Sequence, residues 1–267
     1  MQGPKIGLAY LHKQAHIVYP SSESEGQHTL DRIALKQQRS CNSFPSTKSI
    51  ADCLKRCLSI PSYIPPNMAA DDRKLTPNQL SSDLPGPTAY LTGHDSTSGK
   101  AIVHSARPLN WHKYDDDKLG MGVAYTTQFP PDLNADADVK AHDQKMEASG
   151  GKLGLVSGGG TVLRYVDFAP KYTCMMHRTQ SVDYGIVLEG QIISVLDSGE
   201  EQLMGRGDVM VQRATMHAWK NPSETEWARM IFCLQDCKPL FVGGQRFGED
   251  LGRGTEGIPG SGNDKSG

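Results

Sequence analysis

The segments HRTQSVD at residues 177–183 and GDVMVQRATMHAWKN at residues 207–221 carry the pattern that decides the fold. Each combines strand-like alternation with a tight glycine turn. Together they contain the metal-capable side chains of His177, Asp183 and His217. Two imidazoles and one carboxylate are a set that a six-coordinate metal such as iron can use on one face. The same three side chains could also serve a cavity that binds no metal.

Outside these two segments the chain consists mainly of short apolar stretches broken by glycine-rich turns. One of them, residues 161–168, alternates Val162, Arg164 and Val166 on one face with Leu163 and Tyr165 on the other. Short strands without intervening helices predict a sandwich or barrel of antiparallel sheets. The predicted strands are residues 89–92, 100–104, 121–127, 161–168, 184–189, 191–196, 209–212 and 227–234, and a short surface helix is predicted within residues 132–146.

Composition divides the chain into four regions. Residues 1–67 are rich in Ser, Gln, Lys and Pro and are predicted to be a disordered or weakly structured extension. A targeting peptide, or a true start at Met68, are the alternatives for this region. Residues 68–160 are predicted to be N-terminal strands and loops that pack on a barrel, and residues 161–246 to be the barrel core. The polar, glycine-rich residues 247–267 are predicted to be a disordered tail.

The overall charge and hydropathy restrict the partners. The 267 residues carry a formal charge of −2 without a clustered basic region, which argues against nucleic-acid binding. No apolar run approaches the length of a membrane span, so we expect a soluble protein without a membrane partner. The six cysteines show no paired metal-binding pattern and no secretion signal precedes them, so we expect reduced thiols and a cytoplasmic location.

The two opening segments resemble the two motifs of the cupin superfamily. The first cupin motif is written G(X)5HXH(X)3–4E(X)6G and the second G(X)5PXG(X)2H(X)3N. The likeness is closest to small fungal cupins found beside polyketide synthases, and some relatives of these are described as oxidoreductases. The matching positions are His177, Thr179, Asp183 and Gly190 in the first motif, and Gly207, His217 and Asn221 in the second.

This resemblance implies an all-β protein, an antiparallel jelly-roll β-barrel of the cupin type, with its site inside the barrel. Two departures from the motif concern the site itself. Thr179 stands where the family has a second histidine, and a neutral hydroxyl is a poor metal ligand. Asp183 stands where the family has glutamate, so its side chain is shorter by one methylene group.

The resemblance also implies which residues form the site. His177, Asp183 and His217 are the expected catalytic residues and the expected ligands of one divalent metal ion. Iron is the first expectation, followed by manganese, zinc or nickel, and a metal-free site is the alternative. In the metal-free case a histidine would act as general acid or base, with Asp183 orienting it. The residues expected to bind substrate are Met175, Thr179, Gly185, Trp219 and Phe232.

The function that follows is a cupin enzyme of secondary metabolism. We expect a metal-dependent oxidoreductase that acts on a small aromatic or polyketide-derived molecule. The first alternative is a metal-free isomerase, cyclase or decarboxylase, and the second is a non-catalytic cupin that binds a small molecule. Cupins often dimerise through their sheets, so a homodimer is expected as well.

Overall fold

A computed structural model of the protein describes residues 73–81, 83–252 and 256–264. The predicted extension, residues 1–67, therefore lies outside the described residues, as do its alternatives. Within the described ranges the strands are β1 (Thr88–His94), β2 (Ala101–Pro108), β3 (His112–Tyr114), β4 (Leu119–Gln128), β5 (Gly160–Phe168), β6 (Ser181–Glu189), β7 (Ile192–Leu196), β8 (Glu201–Met204), β9 (Val209–Arg213), β10 (His217–Lys220), β11 (Ala228–Asp236), β12 (Leu240–Val242) and β13 (Gln245–Phe247).

The strands form two principal antiparallel sheets. A six-stranded sheet has the order β3-β4-β5-β11-β6-β9, and a three-stranded sheet has the order β10-β7-β8. Strands β1–β2 and β12–β13 form separate hairpins. Side chains of both principal sheets belong to one hydrophobic core, with Val187 and Met230 from the first sheet and Ile192 and Trp219 from the second. The structure confirms the all-β, antiparallel jelly-roll barrel of the cupin type.

The alternation of strand β5 determines which of its side chains face the core. Val162 and Val166 are buried on the inner side of the strand, and Arg164 between them is buried too. Strand β5 lies between β4 and β11, so its backbone is hydrogen-bonded on both edges and its inner side chains line the middle of the barrel.

The segment that carries His177 is not a regular strand, although its sequence alternates as a strand does. Outside the named strands, Thr173, His177 and Arg178 make only isolated bridges, and His177 exchanges backbone hydrogen bonds of 2.8 and 2.9 Å with His217. Arg178 instead exchanges backbone hydrogen bonds with Asp250 of the tail. The segment thus turns from one partner to another, because neighbouring residues bond in different directions.

The chain before strand β1 is tied to the barrel by a buried ion pair. The guanidinium of Arg229 contacts the carboxylate of Asp167 at 2.6 Å, and both side chains are almost completely buried. Arg229 also donates to the carbonyl of Pro85 and to the hydroxyl of Ser81. The structure places Arg229 inside the protein, where it holds the preceding segment.

The described part of the C-terminal tail packs on the barrel, which differs from the disorder that its composition predicts. Asn263 is buried and donates to the carbonyl of Gln180 at 3.0 Å and to the carboxylate of Asp236 at 2.6 Å. Leu251 and Ile258 pack against the hydrophobic core. Two apolar side chains and a few specific hydrogen bonds order this segment although most of its residues are polar or glycine.

The connection between β4 and β5 contains the predicted short helix. Helix α1 (Ala137–Ala148) follows a turn of 3-10 helix at Asn134–Asp136. It packs on strand β4, where the imidazole of its buried residue His142 lies 3.0 Å from the hydroxyl of Thr126. Among the described residues, no helix is long and apolar enough to cross a membrane.

Candidate active site

A mostly apolar cavity inside the barrel brings together residues from both sequence segments. His177, Asp183 and His217 all line it, as the sequence predicts. Its other walls come from strands β4, β5 and β11 of the large sheet, from strand β10 of the small sheet and from irregular segments. These further lining residues are Leu119, Met121, Leu155, Arg164, Val166, Phe168, Cys174, Met175, Trp219, Phe232, Leu234 and Ile258.

The imidazoles of His177 and His217 form the polar centre of this cavity. Their ring centroids lie 4.4 Å apart, with 50° between the ring planes. The antiparallel bridge between the two residues brings the side chains together, because directly opposed residues of such a pair project to the same side. Trp219, two residues further along β10, stands edge-on to His217 with the ring centroids 5.4 Å apart.

Hydrogen bonds to the backbone define the tautomer of both histidines. The Nδ1 atom of His177 lies 2.9 Å from the carbonyl oxygen of Met175, and that of His217 lies 2.9 Å from the carbonyl oxygen of Thr215. A carbonyl oxygen can only accept, so each Nδ1 carries the proton. Each Nε2 therefore keeps a free lone pair, which is the arrangement found in metal-binding and proton-accepting histidines.

Burial keeps both imidazoles neutral. Desolvation lowers the pKa of His177, and the hydrogen bond to Met175 opposes this shift only in part. Desolvation, followed by the repulsion of His177, lowers the pKa of His217 to about 3. A neutral imidazole is the form that binds a metal ion and the form that accepts a proton.

Asp183 lies in the same cavity but its carboxyl group is engaged by two hydroxyls. Thr179 donates to one oxygen at 3.1 Å and Ser181 to the other at 2.5 Å. The two hydroxyl oxygens are themselves 2.7 Å apart. The sequence leads us to expect Asp183 to orient a histidine. Backbone carbonyls fill that role instead, because the Nδ1 atoms of both histidines bond to Met175 and Thr215.

Burial favours the protonated form of Asp183. Three oxygen–oxygen contacts close a ring among Thr179, Ser181 and Asp183, and each contact needs one proton. The two hydroxyls supply two protons, so the ring is complete only when Asp183 supplies the third. In agreement, desolvation raises the pKa of Asp183 to about 6, against the opposing effects of the hydroxyls and of Arg164.

Three of the five residues expected to bind substrate line the cavity, and two do not. Met175, Trp219 and Phe232 are lining residues. The hydroxyl of Thr179 is turned to Asp183 instead. The space beside Gly185 is filled by Phe232, whose Cε1 atom would lie 2.7 Å from a Cβ at that position. Gly185 therefore shapes the cavity only indirectly, by allowing the Phe232 ring to lie flat against strand β6.

The donor set suits a divalent metal ion only in part. Two neutral imidazoles with free Nε2 atoms are suitable ligands for iron, manganese, zinc or nickel. Within the described ranges of the chain, however, no three or more His, Cys, Asp and Glu side chains are grouped as a metal site requires. The structure thus brings His177 and His217 together but does not assemble Asp183 with them as a third ligand.

Sequence reasoning missed Arg164 as a residue of the cavity. The guanidinium of Arg164 is buried, donates to the carbonyl oxygen of Gly154 at 2.6 Å and touches the sulfur of Met121 at 3.9 Å. The signal was present, since Arg164 occupies the same alternating positions as Val162 and Val166. By contrast, Leu155 and Ile258 come from irregular segments in which no periodicity marks a buried residue.

The chain is similar to proteins of fungal biosynthetic gene clusters. It is 37% identical over 189 residues to the phomopsin biosynthesis cluster protein D of Diaporthe leptostromiformis, covering 70% of this chain and 97% of that protein. It is 38% identical over 167 residues to the cupin-domain-containing oxidoreductase fogC of Aspergillus ruber, covering 61% and 79%. No family model matches the chain.

A solved cupin-2 domain structure from Rhodospirillum rubrum overlaps with 50% of this chain and 75% of its own, with 12% identity and a TM-score of 0.33. This overlap is too partial to inform the site. Two cupin-domain-containing oxidoreductases are 38% and 36% identical to this chain, over matches that cover 79% and 77% of their own length. The chain belongs to the cupin-domain family of fungal biosynthetic clusters.

Proposed function

We propose that this protein is a cupin oxidoreductase of secondary metabolism that acts on a small aromatic or polyketide-derived molecule, with a divalent metal ion held by the Nε2 atoms of His177 and His217. The observation that carries the proposal is that two imidazoles, each bound to a backbone carbonyl through Nδ1, line the same cavity. The names of the relatives support it, since several are cupin-domain-containing oxidoreductases.

Each part of the site has a separate task under this proposal. The carbonyls of Met175 and Thr215 hold the imidazoles in the ligand tautomer. The rings of Trp219 and Phe232, which meet edge-on with centroids 5.3 Å apart, exclude water and offer an apolar wall to a flat substrate. A bound iron ion would supply the one-electron chemistry and the open coordination positions that the side chains lack.

Metal content and turnover test this proposal together. We expect full-length protein purified without a histidine tag, and reconstituted anaerobically with ferrous iron, to retain about one ion per chain. His177→Ala and His217→Ala should each fail to retain the ion. They should also fail to convert metabolites extracted from the organism that carries this gene. Arg107→Ala, a change in an exposed ion pair with Asp143, serves as control. If the reconstituted wild type retained clearly less than one iron ion per chain, the proposal of a metal-dependent reaction would be contradicted.

A metal-free isomerase, cyclase or decarboxylase is the second candidate. It is favoured by the engagement of Asp183 with Thr179 and Ser181, which leaves the two histidines without a third protein ligand. Here one free Nε2 would accept a proton from an enolisable substrate. Turnover by protein that contains no metal, lost in His177→Ala, would select this candidate. Unchanged turnover by His177→Ala would exclude both candidates and favour a non-catalytic binder.

We also propose that the protein is a homodimer. The β1–β2 hairpin exposes Tyr90, Ile102 and Val103, and an isolated two-stranded hairpin is only marginally stable in water. A second copy that covers this hairpin would stabilise it. Light scattering during gel filtration should give twice the mass of the chain, and Val103→Glu should shift the protein to single chains. A monomeric wild type would contradict the proposal.

A further inference from the structure

The cavity contains a buried cation that lacks an anionic partner. Arg164 is 3% exposed, and no carboxylate among the described residues lies within ion-pair distance of its guanidinium. Its hydrogen bonds are one to the carbonyl oxygen of Gly154 and a long contact to the thioether of Met121, which is a weak acceptor. Its Nε atom has no hydrogen-bond partner within the described ranges of the chain.

The other buried arginine of the barrel shows what a structural guanidinium looks like in this protein. Arg229 is equally buried, but the carboxylate of Asp167 accepts from its Nε at 2.6 Å and from its second terminal nitrogen at 2.7 Å. Its remaining terminal nitrogen donates to the carbonyl of Pro85. Burial of a charge is normally compensated in this way, by a paired and fully hydrogen-bonded partner.

Asp183 does not compensate Arg164. The two side chains attract each other electrostatically, but they form no ion pair, and both carboxyl oxygens of Asp183 are hydrogen-bonded to hydroxyls instead. The histidines of the cavity are neutral and cannot balance a cation. A guanidinium with free donors, inside an apolar cavity, is therefore left for a group that the described part of the chain does not provide.

We propose that Arg164 binds a carboxylate of the substrate, so that the substrate is a small organic acid with an apolar body. The planar guanidinium matches a carboxylate through parallel N–H donors, and such charge-assisted hydrogen bonds are among the strongest in proteins. The apolar body would then lie along Phe232, which is opposite Arg164 on strand β11. This inference rests on the proposed function only in taking the cavity as the substrate site.

Calorimetric titration of full-length, chelator-treated protein with matched acid and amide probes tests the inference. The probes are benzoate against benzamide and propionate against propionamide, because each pair differs mainly in charge. In the wild type we expect at least one acid to bind about tenfold or more tightly than its amide. Arg164→Gln should abolish this preference, and Arg164→Lys should retain part of it because the charge remains.

Arg107→Gln is the matched control, since Arg107 forms an exposed ion pair with Asp143 away from the cavity, and its acid preference should equal that of the wild type. A thermal melt shows whether Arg164→Gln is folded. If it is not, the comparison of acid with amide binding in the wild type still tests the inference. Equal or absent binding of acid and amide in both pairs, or an unchanged preference in Arg164→Gln, would overturn the inference.

These outcomes are independent of the proposed reaction, because the titration requires neither metal nor turnover. A protein that prefers acids but retains no iron would contradict the metal-dependent oxidoreductase and leave the role of Arg164 intact. A protein that retains iron but shows no acid preference would contradict the role of Arg164 and leave the metal-dependent oxidoreductase intact.

Discussion

His177 and His217 face each other across a single antiparallel bridge, and each donates its Nδ1 proton to a carbonyl oxygen two residues earlier in the chain, at 2.9 Å in both cases. The two imidazoles are thus held by the same local geometry, in the same tautomer, on opposite segments. Both Nε2 atoms are therefore left unprotonated in a cavity that both residues line. The same local geometry leaves Asp183 outside the arrangement that orients them.

We predict that Asp183 contributes little to metal affinity. Asp183→Asn should change the affinity for Co²⁺, a spectroscopic substitute for iron, by less than about threefold, whereas His217→Ala should weaken it by at least about tenfold. The reason is that hydroxyls already occupy both carboxyl oxygens of Asp183. Visible absorption during Co²⁺ titration measures both affinities. Equal losses of Co²⁺ affinity in the two variants would show that Asp183 is a third ligand after all.

We predict that ionisation of Asp183 destabilises the folded protein. Its pKa is raised from 3.8 to about 6, so its stabilising contribution is present below about pH 4 and is lost as the pH rises through 6. Asn mimics the protonated acid and should not show this loss. The stability of wild type relative to Asp183→Asn should therefore fall by up to about 3 kcal/mol between about pH 4 and pH 7.

Denaturant unfolding of metal-free protein at several pH values measures this difference. His217 contributes with the opposite sign, because its pKa is lowered to about 3 and its stabilising contribution is lost as the pH falls. Both proteins contain His217, so its contribution cancels in the comparison. If the difference in free energy of unfolding between the two proteins were the same across this pH range, the pKa of Asp183 would not be raised by folding.

We predict that the packing of Phe232 against Gly185 is essential for stability. In Gly185→Ala the new methyl group would lie 2.7 Å from the Phe232 ring and 3.3 Å from the Met230 side chain. Such overpacking should cost about 1–3 kcal/mol in the free energy of unfolding. Chemical denaturation measures the loss, and Phe232→Leu in the same chain should recover part of it.

Gly205→Ala is the control for this prediction, because the nearest atom to its added Cβ, an oxygen of Asp208, is 3.9 Å away. Its stability should remain within about 0.5 kcal/mol of the wild type. If both glycine variants were equally stable, the close packing of Phe232 on strand β6 would be incorrect.

We predict that Asn263 anchors the tail over the barrel. Asn263→Ala removes the amide that donates to the carbonyl of Gln180 and to the carboxylate of Asp236, and leaves these acceptors without that partner. The expected loss is about 1–3 kcal/mol, since the site is buried. Hydrogen exchange should also increase in the described part of the tail.

Gln202→Ala provides the comparison for this variant, because its amide donates to the carbonyl of Leu203 in an exposed contact. We expect it to change stability by no more than about 0.5 kcal/mol. Protection of the tail that is the same in Asn263→Ala and in the wild type would mean that the tail is held by its apolar contacts alone.

The all-β architecture and the three polar residues of the cavity could be predicted from sequence because their signals are local. Alternation along residues 161–168 marks an inner face, and the spacing of His177, Asp183 and His217 follows from two short motifs. The position of Arg164 could have been predicted from the same alternation. Local periodicity does not indicate which buried charges have a partner.

The sequence by itself determined that this chain forms antiparallel sheets, because strand periodicity and turn glycines act over a few residues. Its resemblance to the cupin motifs implied the barrel with two histidines directed inward. Only the tertiary structure decided how these groups are used. Thr179 and Ser181 turn Asp183 away from the histidines, Phe232 fills the space beside Gly185, and the tail covers the barrel. These outcomes depend on contacts between segments far apart in the chain, and no local pattern specifies the packing and hydrogen-bond partners that such contacts create.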